Sequence, residues 1–364
     1  MRVGILTFHR ALNYGAVLQA YALQCCLKGM GAECDVIDYR CDFLERGYGA
    51  LHLGTGSPRD IVSGMAHAPE RIMKHRRFRE FRDAHLRLSD AAYTREIVAD
   101  ADELYDLFVT GSDQVWNPDL TGDDLTFYLD FCDGRKRISY AASLGKSGSL
   151  EEYDKLYLER LSEYRAISVR EEDSKNHLAA LLQRDVEWVL DPVFLLRSAE
   201  WASLAAGPSM NRPYILVYCL HEKALYGYAE QLRTASGLHV VYVPESMKTW
   251  IKGSRVASPS VVELLGLIKH AEFVLTDSFH VLAFSIIFRR SFKVQLKGRL
   301  HGLNSRVTSL LTALGLEEQV IRQGDCQEME FSTVAFEAAG PLLEEMVEES
   351  LSFLRAALGT RTTQ

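Results

Sequence analysis

The strongest constraint on this chain is a rhythm: short apolar runs of strand character, each followed by a polar turn and a segment with helical spacing. Val3 to Phe8 reads as a buried strand, a helix follows from Tyr14 to Lys28, and a second strand runs from Cys34 to Ile37. That is a βαβ opening, and it commits the chain to a mostly parallel sheet. Strands are expected again at Leu107 to Thr110, Arg137 to Ala141, Ala166 to Val169 and Val186 to Leu190. Helices are expected near Pro69 to Leu86, Glu151 to Tyr164 and Asp173 to Leu182. Between them, Cys41 to about Ser63 carries Gly47, Gly49, Gly54, Gly56 and Pro58 without periodicity and reads as an excursion.

A turn-rich stretch, Gly207-Pro208 and Asn211-Arg212-Pro213, serves as a linker, after which the rhythm restarts. Strands at Tyr214 to Cys219, His239 to Val243, Phe273 to Leu275 and Phe292 to Gln295 alternate with helices at Leu225 to Ala235, Val261 to Lys269, Phe279 to Phe288 and Ser305 to Leu314. A chain of 364 residues exceeds one domain of about 150. We therefore expect two Rossmann-like domains, residues 1–205 and 206–335, and a final helix in 336–364 that packs back on the first. Two such domains facing each other across a cleft make a glycosyltransferase-B-like α/β fold.

Composition narrows the partners. The 41 Lys and Arg against 49 Asp and Glu leave a net charge of -8, so no overall positive field gathers nucleic acid. The 7 cysteines include no C-x-x-C pair, which argues against a disulfide framework or a zinc ribbon and for a reducing cytoplasm. The N-terminus enters a strand directly and no apolar run reaches the roughly 18 residues that span a bilayer, so neither signal peptide nor anchor is expected. There is also no G-x-S-x-G, P-loop or H-E-x-x-H, which sets aside serine hydrolases, P-loop kinases and zinc proteases.

Candidate residues lie where strands give way to helices, at the carboxyl edge at which ligands bind in such sheets. After the first strand, Asn13 and Tyr14 sit at a helix start that can hold an anion; Asn13 serves equally as a helix cap. In Gly111-Ser112-Asp113-Gln114-Val115-Trp116, Asp113 and Gln114 suit sugar hydroxyls and Trp116 a sugar face; the other reading is a structured turn with Asp113 as cap and Trp116 as a core lid. Arg170 ends another strand and can grip phosphate or carboxylate bidentately, or pair with Glu171, Glu172 or Asp173.

In the second half, Asp277 or Ser278 suits a helix N-cap and His280 falls in the first turn, placed to bind an anion or move a proton. Lys297, Arg299, His301, Asn304, Ser305 and Arg306 form an electropositive rim, with Lys297 and Arg306 suited to phosphate; a solvated loop is the other reading of the rest. Asp123-Asp124 lacks partners for a metal and reads as a loop. Finally, Arg71, Lys74, His75, Arg76, Arg77, Arg79 and Arg82 surround Ile72, Phe78 and Phe81 on one helix. It is a solvated face or a peripheral contact with a membrane surface or a lipid pyrophosphate.

Taken in order, I-L-T-F-H-R-A-L-N-Y-G, V-T-G-S-D-Q-V-W-N-P, I-S-Y-A-A-S-L-G, I-S-V-R-E, V-L-D-P-V-F-L-L, T-D-S-F-H and N-S-R resemble the polysaccharide pyruvyl transferase family, from Met1 to about Arg322. The resemblance implies transfer of a pyruvyl group from phosphoenolpyruvate, as co-substrate, to hydroxyls of a sugar or lipid-linked precursor, with release of phosphate and no cofactor or metal. His280 and Arg170 match the family's catalytic or donor-binding His and Arg. Ser278, Lys297, Asn304 and Arg306 would lie on the donor side, in the second domain. Asn13, Tyr14, Asp113, Gln114 and Trp116 would lie on the acceptor side, in the first. Val281 departs from the family's usual Gly, and its branched side chain would crowd a helix start that must approach phosphate. The other readings are a glycosyltransferase using a nucleotide sugar and a non-catalytic carbohydrate-binding relative.

Overall fold

The computed structural model describes residues 1–47, 58–122, 124–145, 150–207, 212–221, 223–244, 252–297, 304–321 and 334–359, without the side chains of 46–47, 58–67 and 150. Two compact units emerge. The first comprises Met1–Gly49, Arg82–Leu196 and Leu343–Gln364, the second Ala50–Phe81 and Arg197–Leu342.

In the first unit, β1 (Arg2–Leu6), β2 (Glu33–Tyr39), β3 (Leu88–Tyr93), β4 (Leu107–Thr110) and β5 (Arg137–Ser139) form a parallel sheet in the order β3-β2-β1-β4-β5. Two isolated bridges, Ile138 with Ala166 and Ala142 with Val169, carry the pairing on to the short parallel pair β6 (Ser168–Val169) and β7 (Glu187–Trp188). Side chains alternate across the sheet. Val3, Ile5, Cys34, Val36, Leu107 and Val109 share one buried layer with Leu354 and Leu358 of the C-terminal helix Phe336–Leu358, while Leu6, Ile37, Tyr39 and Phe108 lie in the other. Ser350 Oγ on that helix also accepts from the Leu190 amide at 3.0 Å.

The second unit is a six-stranded parallel sheet in the order β10-β9-β8-β11-β12-β13. Its strands are β8 (Tyr214–Cys219), β9 (His239–Pro244), β10 (Ser254–Arg255), β11 (Phe273–Thr276), β12 (Ser291–Gln295) and β13 (Val320–Ile321). The sequence places residues 50–81 in the first domain; in the structure they group with the second. The reason is visible on the helix Pro58–His85, where Arg77 donates to the Ser258 carbonyl at 2.7 Å and Arg255 donates to Glu70 at 3.1 Å. The excursion is also shorter than expected, since helix Asp42–Gly47 begins at once and the long helix already starts at Pro58. Gly49, Gly54 and Gly56 lie outside the described residues, as do the linker's Pro208 and Asn211, Asp123 and Cys326.

Candidate functional site

Each sheet has one place where the chain, having built outwards on one side, returns to build on the other. These switch points fall between β1 and β4 and between β8 and β11. The loops leaving the carboxyl ends of such strands part in opposite directions and leave a crevice, the usual ligand position in open α/β sheets.

At the first switch point the loops are tied together by buried polar groups. Gln19, on the helix Tyr14–Gly29, donates to Thr7 Oγ1 at 2.8 Å and accepts from the Ser112 amide at 3.0 Å, and Thr7 Oγ1 donates to the Ser112 carbonyl. Gly111 has φ +107°, and a Cβ there would run into the Tyr140 carbonyl oxygen, so only glycine lets the chain turn here. Gly145, at φ +75°, is similarly hemmed in by Asn117 and Gln114.

These constraints turn the loop inward. Trp116 is fully buried, its ring parallel to Tyr128 with centroids 6.0 Å apart and edge-on to Tyr164. The expectation that Trp116 offers a face to a sugar is therefore corrected: it is a core side chain that anchors the loop. Tyr14 is buried as well. Gln114 accepts from Asn117 at 2.9 Å, and Asp113 Oδ1 accepts from the Gln114 amide at 2.9 Å. Asn13 lies at the surface, its Oδ1 capping the helix through the amides of Gly15 and Ala16.

Arg170 also needs correction. Its guanidinium does not face outwards to grip an anion; it is 3% exposed and is held by carboxylates of its own unit. Nη1 donates to Asp191 Oδ2 at 2.7 Å, with Glu171 at 3.6 Å and Asp113 at 3.7 Å. Burial opposes the charge, but Asp191, Glu171 and Asp113 outweigh it and push the Arg170 pKa above its ordinary value. Ser112 Oγ donates to Asp191 at 3.1 Å and Ser143 Oγ to Glu171 at 2.6 Å. Of the partners proposed from sequence, Glu171 alone is among these ion pairs. Asp191, Ser112 and Ser143 had no assigned role, although Asp191-Pro192 after the buried Val189-Leu190 marks a strand end like those of the assigned residues.

At the second switch point, Asp277 follows β11 and accepts from the amides of Leu220 at 2.7 Å and His221 at 2.6 Å, just after β8. It thus bridges the two strands rather than capping the helix. Ser278 occupies the cap position of helix Phe279–Ile287 without a side-chain capping bond, its amide donating to Thr276 Oγ1 at 3.0 Å. His280 is in the first turn and half-buried. Its ring stands edge-on to Phe279 at 5.2 Å, and the Arg306 guanidinium carbon lies 5.6 Å from the centroid of the same Phe279 ring. Asn304 accepts from the Lys297 amide at 2.9 Å and donates to its carbonyl at 3.1 Å, latching the start of helix Ser305–Ala313 to the end of β12. Val281 is buried, so its methyl groups pack inside the unit. Arg299 and His301 lie outside the described residues.

The sequence model of the family described as polysaccharide pyruvyl transferase matches residues 13–292, a span that runs from Asn13 through both switch points. This chain belongs to that family. The polysaccharide pyruvyl transferase family is one of transferases, and the assignment makes a sugar or polysaccharide the acceptor class. No curated protein matches the sequence. Among solved structures, UDP-GlcNAc 2-epimerase from Neisseria meningitidis bound to UDP-GlcNAc is 10% identical with a TM-score of 0.53, over 99% of this chain and 100% of that one. The Methanocaldococcus jannaschii UDP-GlcNAc 2-epimerase gives 13% and 0.48 over 99% and 100%. E. coli heptosyltransferase WaaC with ADP-2-deoxy-2-fluoro heptose gives 12% and 0.40 over 95% and 99%. At such identities the likeness to the Neisseria enzyme speaks for the fold alone, which is glycosyltransferase-B-like. Among the described residues no helix is long and apolar enough to cross a membrane.

Proposed function

We propose that this chain transfers the pyruvyl group of phosphoenolpyruvate to paired hydroxyls of a sugar, in a polysaccharide or its lipid-linked precursor, and releases phosphate. The observation that carries the reading is the arrangement at the second switch point, where Phe279 holds His280 and Arg306 against one ring at the start of a helix. A helix start favours anions, and a guanidinium beside it can take a phosphate or carboxylate by two parallel hydrogen bonds. Lys297, one strand further along the same edge, adds a second cation.

The chemistry fits these groups. His280 protonates C3 of the enol, which leaves positive charge at C2. A sugar hydroxyl adds to C2 and returns its proton to the His280 imidazole, the C2–O bond to phosphate breaks, and a second hydroxyl closes the ketal while its proton passes to the departing phosphate. Arg306 and Lys297 neutralise the phosphate as it leaves. No step calls for a metal or cofactor. On the first unit, Asn13 and the carboxylate of Asp113 meet acceptor hydroxyls, and Gln114 and Trp116 hold that loop in shape. Arg170 acts as a positioning residue for Asp113 and Glu171 and does not grip the donor.

The test is a thermal-shift titration with phosphoenolpyruvate. A ligand that binds only the folded state stabilises it by about 2.7 kcal/mol at 100 times its Kd, so the melting temperature should climb with donor concentration. A flat response at millimolar donor would refute the donor assignment.

The Pro58–His85 helix supports a further part of the reading, a peripheral contact with acidic membrane on the cytoplasmic side. Arg77 is committed to Ser258 and Glu263, Arg76 is paired with Glu80 at 2.7 Å, and Phe78 and Phe81 are buried, but Ile72, Met73, Arg76 and Arg79 face outwards. Two exposed apolar side chains beside two cations suit an interfacial helix.

A further inference from the structure

The second unit carries a pocket at the opposite end of its sheet from the switch point. Arg212 and Pro213 immediately precede β8, Gly237 and Leu238 form the turn after helix Ala224–Ser236, His239 opens β9, and Lys252 and Gly253 precede β10. With Arg233 from the last turn of that helix, these residues line an open pocket of about 510 Å³. The 6 residues of β8 separate it from the Asp277 edge, a span of roughly 20 Å at about 3.3 Å per residue. It is thus outside any donor site at that edge.

Its chemistry is one-sided. Arg212, Arg233, His239 and Lys252 all line the pocket, and no carboxylate does. Arg233 is neutralised by Glu230, which accepts from its Nε at 2.8 Å, and His239 is fixed by a 2.8 Å hydrogen bond to Ser254. Glu230 also feels the charge of Lys252, but among the described residues no carboxylate comes within ion-pair distance of Arg212 or Lys252. The volume falls within the roughly 300–1,000 Å³ of small-molecule sites. Four cationic or protonatable groups drawn from four chain segments, around a floor of glycine and Leu238, give a concave positive surface that concentrates the field on an anion.

We propose that this pocket is a second anion site, selective for a small molecule bearing a phosphate or diphosphate group and separate from the donor site. Arg212 and Lys252 supply the charge, and His239 supplies a directed N–H. The probe is inorganic pyrophosphate, titrated calorimetrically against the whole chain and followed by amide chemical shifts. Pyrophosphate should shift the amides of Gly237, Leu238 and Gly253, and it should do so equally in His280→Ala, which alters only the other edge. Reversal of both cations, Arg212→Glu with Lys252→Glu, should weaken binding about tenfold or more, about 1.4 kcal/mol. The same reversal at Arg76 and Arg79 should leave it unchanged. Loss of binding in His280→Ala, equal loss from reversal at Arg76 and Arg79, or no shift at the three amides would overturn the proposal. Each charge variant is checked for an unchanged melting temperature, and since Arg212 and Lys252 are exposed, both should fold.

Discussion

Replacing Arg170 by methionine should cost stability before it costs chemistry. The side chain is 3% exposed, and three carboxylates lie within 2.7 to 3.7 Å of its nitrogens. Two unit charges about 4 Å apart attract by about 4 kcal/mol at an effective dielectric of 20, but burying the ions offsets much of that gain. What does not cancel is the state left behind, in which Asp113, Glu171 and Asp191 have lost the guanidinium they share. Breaking such a pair from one side typically costs about 3–5 kcal/mol. At about 2–4 °C per kcal/mol for a unit of this size, Arg170→Met should melt roughly 6 to 20 °C below the parent. Circular dichroism measures this directly. Adding Asp191→Asn should recover part of the loss, because the amide oxygen still caps Val193 while one buried charge is gone. Arg170→Lys should fall between, since an ammonium reaches fewer carboxylates than the guanidinium fork. If Arg170→Lys melts within about 1 °C of the parent while the KM for phosphoenolpyruvate rises about tenfold, the residue is an anion ligand and the reasoning fails.

Three further outcomes are expected. His280→Ala should lower kcat by about 10²-fold with donor binding retained, because a proton-transfer group acts in the transition state; a raised donor KM at unchanged kcat would make His280 an anion ligand instead. Stability should fall on acidification in two windows set by one cluster. Burial pushes the His9 pKa down, so stability declines as pH drops below about 6.5, where the unfolded chain binds the proton more readily. Burial alone would raise the Asp38 carboxyl, yet hydrogen bonds from His9 and Arg10 bring it to about 2, so a further contribution of roughly 2 kcal/mol is lost between about pH 4 and 2. Urea denaturation of Asp38→Asn should lack the lower window; an unchanged acid limb would show that the ion pair contributes nothing. Finally, sedimentation with anionic vesicles should weaken with salt and with charge reversal at Arg76 and Arg79, and no low-salt binding would make that helix a solvated face.

The central strands were legible because buried parallel strands leave uninterrupted apolar runs: Leu107–Thr110 and Tyr214–Cys219 fall where the sequence puts them. The edges were not. Leu88-Ser-Asp-Ala-Ala-Tyr shows no period-two alternation, exposes Asp90, Ala91 and Ala92 in a row and, among the described residues, pairs only with β2, so nothing in its composition separates it from a loop. Similar logic divides the site. His280 could be placed from sequence because a strand-to-helix junction fixes its position locally. The surroundings of Trp116 and Arg170 could not, because they depend on strands far apart in the chain. Trp116 is turned inward when its amide donates to Ser143 at 3.3 Å, and Arg170 meets Asp191 across β6 and β7.

These inward turns leave the two switch points with different chemistry. At the first, the Arg170 guanidinium is shared among the carboxylates of Asp113, Glu171 and Asp191, so acceptor oxygens gather there. A doubly charged phosphate would meet those carboxylates, whereas a neutral sugar, which donates through its hydroxyls, gains acceptors. At the second, the carboxylate of Asp277 is occupied by two backbone amides, and the edge carries Lys297, Arg306 and a helix start. An anion is favoured there and a hydroxyl gains nothing special. Swapping the sign should swap the preference. In Arg306→Glu the donor must approach a carboxylate, so phosphoenolpyruvate should lose its effect on the melting temperature while the first unit's buried cluster stays intact.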